Sequence, residues 1–126
     1  MPDTVLYVCT TCRAGDDAVD APRAGARLLE ALRAEIAARP DMPLRVEGTE
    51  CLSVCKRPCT VAVASPGRWT YVYGDLDPEA SARTILDGLA RYAETADGIV
   101  PWRERPEAFR KGVVARIPPF PAPAAE

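Results

Sequence analysis

Residues 60–74 read TVAVASPGRWTYVYG. Two runs rich in β-branched and aromatic residues flank a Ser-Pro-Gly turn, which predicts two strands. A turn that short joins them as antiparallel neighbours, so the middle of the chain is a hairpin.

Directly upstream stands CLSVCKRPC at 51–59, a loop with three cysteines in nine positions. Before it, LRVEG at 44–48 alternates with period two and reads as a short strand ending at Gly48. Residues 20–40, DAPRAGARLLEALRAEIAARP, read as a helix. Asp20 caps its start, Pro22 suits its first turn and Pro40 stops it. Leu28, Leu29, Leu32 and Ile36 share one face at helical spacing and read as core packing. The small residues of AGAR within it read as close packing. At the start of the chain, TVLYV at 4–8 is a buried strand that runs into Cys9, and TTCRAGDDAVDAP at 10–22 is a polar loop.

Downstream of the hairpin, Asp77 and Pro78 open a second helix. Ala82, Ile85, Leu86, Leu89 and Tyr92 follow at helical spacing, and Gly98 closes it. The order is strand, helix, strand, cysteine loop, strand, strand, helix. It predicts an α/β domain over 1–98, with a mixed four-stranded sheet and helices packed on it. The first two strands, joined through a helix, should be parallel. Residues 99–117 form a C-terminal extension expected to pack on the domain, pinned by Trp102 and Phe109. The Pro/Ala tail at 118–126 is expected to be mobile.

The chain has 126 residues, a one-domain length with room for a real core. Its 48% hydrophobic and 27% charged composition is that of a soluble globular protein. No apolar run approaches the roughly 18 residues of a membrane span, and no signal peptide is visible at the start. A net charge of −2 argues against nucleic acid as the main partner. The expected location is the cytoplasm, with no membrane association.

The cysteines carry the chemistry. There are five, with no histidine anywhere in the chain. Disulfides are rare in a reducing cytoplasm, and an odd count strands one thiol. Cys9 and Cys12 have the spacing at which one tight loop presents two thiolates to one tetrahedral metal. Cys51 and Cys55, if CLSVC forms a helical turn, stack on one face. Loops at the carboxyl ends of parallel strands meet at one edge of a sheet, so the two pairs can converge on a four-thiolate site. Without histidine, such a site suits zinc or an iron–sulfur centre. CLSVC lacks the spacing of a zinc knuckle, which favours a [2Fe–2S] cluster with two thiolates for each iron.

Arg13, Lys56 and Arg57 adjoin the cysteines. Cations there lower thiolate pKa values and offset a cluster charge of about −2 oxidised and −3 reduced. Cys59 reads as a competing ligand, a small buried residue or a reactive thiol. Two rivals stand beside the cluster. One is a zinc-binding or cluster-carrying module. The other is a thiol oxidoreductase using the CTTC at 9–12. The loop between CTTC and the first helix sets the helix dipole away from the thiols, which weakens the second rival. No catalytic constellation and no phosphate-cradling glycine loop is visible, so an electron carrier is expected rather than an enzyme.

The order of elements resembles the thioredoxin-like [2Fe–2S] ferredoxins. The resemblance covers residues 4 to about 96 and rests on LYVC, TECLSVC and TVAVASPGRWTYVYGDLDPEAS. It implies a thioredoxin-like fold, with cluster ligands at Cys9, Cys12, Cys51 and Cys55. The stretches CTTCR, CLSVCKRPCTVA, TYVYGDL and GVVARIPP are similar to a family of small bacterial metal-binding proteins associated with cobalamin biosynthesis. In the ferredoxins a longer loop separates the first two ligands, which leaves Cys59 as the alternative to Cys12. The implied role is one-electron transfer with a redox partner protein, serving corrinoid metabolism. A homodimer through a sheet edge or the C-terminal segment is compatible with this pattern.

Overall fold

The computed structural model describes residues 4–10, 23–42, 44–50, 52, 59–77, 80–95 and 97–119. Strand β1 is Thr4–Cys9, helix α1 Ala24–Ala37, and strand β2 Leu44–Thr49. The hairpin strands are β3, Val61–Ala64, and β4, Thr70–Tyr73. Helix α2, Ala82–Glu94, a 3-10 turn at Trp102–Glu104, helix α3, Glu107–Lys111, and strand β5, Val113–Ile117, complete the chain.

The sheet runs β2-β1-β3-β4-β5. β1 and β2 are parallel, as a strand–helix–strand connection requires, and the other pairs are antiparallel. The sheet is mixed, as read from sequence, but it has five strands where the sequence indicated four. The fifth comes from the C-terminal segment, where Val113–Ile117 adds to β4 with a register shift at Val72/Tyr73. The sequence hides this edge strand because only Val113 turns to the core, while the next four residues are exposed. No alternation of apolar and polar residues marks it.

Alternation along β1 sends Leu6 and Val8 into the core and leaves Tyr7 exposed. Leu28 and Leu32 of α1 and Ile85, Leu86, Leu89 and Tyr92 of α2 meet them in one cluster with Val61, Val63, Tyr71 and Tyr73. The helical stripes expected from sequence are therefore core faces. Among the described residues, no helix is long and apolar enough to cross a membrane.

Three local expectations are corrected. Helix α2 begins at Ala82, not at Pro78, because Asp77 and Ser81 form a turn ahead of it. The Asp77 carboxylate accepts the Ala80 N–H at 2.8 Å, and the Asp77 N–H donates to the Ser81 hydroxyl at 2.8 Å. Gly98 does not close α2, which ends at Glu94. It occupies a left-handed turn at φ 88° whose close approach to Trp69 leaves no room for a Cβ. Phe109 is the pin of the C-terminal segment, buried and stacked on Tyr73 at 3.8 Å between ring centroids. Trp102 is not, since 57% of its surface is exposed. The Pro22 and Asp20 start signals and the tail beyond Pro119 lie outside the described residues.

Candidate metal centre

Cys9 ends β1, the strand flanked by β2 on one side and β3 on the other. Its N–H donates to the Thr60 carbonyl at 3.0 Å, across the antiparallel pair. The next residue ties the other side. The Thr10 N–H and hydroxyl both donate to the Thr49 carbonyl, at 2.8 and 3.1 Å. The Cys9 thiol points toward the Glu50 carbonyl, with a sulfur–oxygen distance of 3.8 Å. These bonds clamp together the end of β1, the end of β2 and the entry to β3.

That clamp joins the chain ends from which the cysteine segments depart. From Thr10 the chain enters the stretch holding Cys12 and Arg13. From Glu50 it enters the stretch holding Cys51, Cys55, Lys56 and Arg57, and it returns at Cys59. All three junctions lie at one end of the sheet. Cys12, Arg13, Cys51, Cys55, Lys56 and Arg57 themselves lie outside the described residues. Among the described residues no group of three Cys, Asp or Glu side chains is assembled to hold a metal.

The two described cysteines differ in setting. Both are 2% exposed. Cys59 belongs to the apolar core, in the same cluster as Val61 and Leu76. Its backbone is left-handed at φ 61°, a conformation that costs a non-glycine residue on the order of 1 kcal/mol. The Leu76 N–H donates to its carbonyl at 3.4 Å. Cys9 follows Val5 and Tyr7 in the alternation of β1, on the sheet face opposite Leu6 and Val8.

Helix α1 also reaches this end of the sheet, which corrects the distance read from sequence. The first turn of α1 packs on the Cys9–Thr10 peptide. Gly25 is buried there, and a Cβ on it would collide with the Cys9 carbonyl and lie 3.3 Å from the carbonyl carbon of Thr10. The first turn of α1 holds no acidic side chain. The helix N-terminus thus brings its positive end to the Cys9 carbonyl. Sequence reading identified AGAR as a close-packing motif without naming what it packs against; that neighbour is set only by the fold.

The aromatic cluster beside the hairpin is structural. Tyr71 and Tyr73 stack at 5.6 Å, and the Arg105 guanidinium lies 5.1 Å over the Tyr71 ring and donates to its hydroxyl at 3.2 Å. Burial pushes the Tyr73 phenol well above its ordinary range, with the neighbouring Tyr71 adding to the shift.

Residues 6–119 match the family described as a protein of unknown function, DUF1636. The chain belongs to that family. Among solved structures it is similar to a thioredoxin-like [2Fe–2S] ferredoxin from Aquifex aeolicus. The identity is 19% and the TM-score 0.61, over 95% of this chain and 98% of that one. A variant of the Aquifex aeolicus ferredoxin matches at 17% identity and TM-score 0.58, over 89% of this chain and 98% of that one. The wild-type ferredoxin of the same organism matches at 18% identity and TM-score 0.50, over 71% and 88%. At this identity the likeness establishes a shared thioredoxin-like ferredoxin fold. None of the curated proteins matches the chain.

Proposed function

We propose that this chain holds one [2Fe–2S] cluster at Cys9, Cys12, Cys51 and Cys55 and carries single electrons between partner proteins. The observation that carries the reading is the clamp around Cys9. Hydrogen bonds from Cys9 and Thr10 to Thr60, Thr49 and Glu50 bring together the described chain ends that flank the other cysteines. The donor set fits the group, since thiolates with no histidine suit an iron–sulfur centre. The fold shared with [2Fe–2S] ferredoxins supports the same reading.

The setting of Cys59 favours Cys12 as the fourth ligand. Cys59 packs in the apolar core, where its sulfur substitutes for a small hydrophobe. The bound cluster would supply a one-electron couple. The chain's own part is to hold the thiolates, exclude water from Cys9 and offset negative charge. Arg13, Lys56 and Arg57 serve the last task, together with the N-terminus of α1. This makes the protein an electron carrier and not a catalyst. The redox partner is a protein, and the destination of the electron is a redox step in corrinoid metabolism. The motifs CTTCR, CLSVCKRPCTVA, TYVYGDL and GVVARIPP support that destination.

One observation favours a second reading, a thiol oxidoreductase working through Cys9 and Cys12. The first turn of α1 packs on the Cys9 carbonyl, so a helix N-terminus stands near the start of CTTC, as redox CxxC pairs require. Burial of Cys9 opposes it, because a nucleophilic thiol has to meet its disulfide substrate. A zinc-binding or cluster-carrying module shares the same ligands and differs in what it delivers. A redox titration of the anaerobically reconstituted protein separates the three. One electron per chain, with bleaching of visible bands, supports the carrier. A two-electron thiol–disulfide couple supports the oxidoreductase, and a redox-silent metal protein supports the module.

A further inference from the structure

We propose that Gly25 is a positioning residue for Cys9, holding the cysteine peptide under the first turn of α1. This rests on the reading of Cys9 as a cluster ligand. Glycine weakens a helix relative to alanine, so its place in α1 needs another cause. The cause is contact. A Cβ at residue 25 would collide with the Cys9 carbonyl oxygen and lie 3.0 Å from the Cys9 carbonyl carbon.

A second glycine brings the same layers together from the sheet side. Gly48 of β2 pairs with Val8. A Cβ there would lie 2.9 Å from Leu29 Cδ2 and 3.1 Å from Thr10 Cγ2. Two missing side chains, one on α1 and one on β2, thus let the helix descend over Cys9 and Thr10. Thr60 and Thr49 hold the same residues from the two flanking strands. The ligand peptide is fixed from three directions and has little room to shift between oxidation states. The close approach also keeps the α1 N-terminus, with no acid in its first turn, against the Cys9 carbonyl.

The test uses the full chain, with Gly25→Ala compared against Gly88→Ala. Gly88 is a second close-packed helical glycine, whose Cβ would lie 2.5 Å from the Phe109 ring, away from Cys9. The first readout is alkylation of Cys9 by iodoacetamide in metal-free folded protein, mapped by mass spectrometry. Gly25→Ala should label at Cys9 about tenfold faster than the unsubstituted chain, and Gly88→Ala within about twofold of it. The second readout is the reduction potential of the reconstituted protein, which should fall in Gly25→Ala and hold in Gly88→Ala. Unchanged labelling in Gly25→Ala overturns the proposal, and so does equal acceleration in Gly88→Ala. If Gly25→Ala does not fold, Ala24→Gly loosens the same turn without adding a clash. Its Cys9 labelling should also accelerate, and an unchanged rate there overturns the proposal. If labelling follows the proposal but the unsubstituted chain takes up no iron or sulfide, Cys9 is positioned by Gly25 and the ligand reading is lost.

Discussion

The Cys9 amide donates to the Thr60 carbonyl at 3.0 Å, so the end of the first strand is bonded to the residue that follows the cysteine loop. Residues far apart in sequence, Cys9 and Cys59, therefore open and close the candidate centre from adjacent strands.

That pairing assigns different consequences to the two cysteines that compete for the fourth ligand position. Cys59→Ala should keep the cluster and lose roughly 1 kcal/mol of stability, the scale of one small buried apolar group. Cys12→Ser should leave the fold intact and lose or destabilise the cluster. Visible absorption of the two reconstituted variants, with urea denaturation of each, checks both statements.

Phe109 and Trp102 separate in the same way. Phe109 is 2% exposed and stacks on Tyr73, so Phe109→Ala should cost about 3–5 kcal/mol and loosen β5 with it. Trp102 is largely exposed, so Trp102→Ala should stay within about 1 kcal/mol of the parent. Denaturant midpoints at constant slope are the measurement.

The Tyr92 hydroxyl donates to the Trp69 carbonyl at 2.7 Å. Burial, only partly offset by Arg68 and reinforced by Tyr71, pushes its phenol from 10.0 up to about 12. The unfolded chain loses this proton first as pH rises. The stabilisation is therefore complete below pH 10.0 and is lost as pH rises through about 12. Thermal unfolding should show a falling melting temperature across that window, and Tyr92→Phe should flatten the fall.

Much of the fold was legible because its signals are local. The Ser-Pro-Gly turn between two β-rich runs declares the β3–β4 hairpin, and the leucines of α1 declare a core face. β5 was not legible, because an edge strand with one inward residue carries no period. The α2 start was misplaced because Asp77 caps a turn and not the helix itself. At the candidate centre, the cysteine spacings single out Cys9, Cys12, Cys51 and Cys55, of which Cys9 alone is among the described residues. The clamp through Thr10, Thr49 and Thr60 could not be read, since backbone hydrogen bonds depend on register and not on side-chain identity. Nor could Gly25 be assigned to Cys9, because the two are distant in sequence and meet only in the fold.

Iron, sulfide and zinc should be assayed on anaerobically purified full-length protein together with its absorption spectrum. The account predicts about two irons and two sulfides per chain, with visible bands that dithionite bleaches. A colourless protein holding one zinc, or one holding no metal after reconstitution while reducing disulfides, would contradict it.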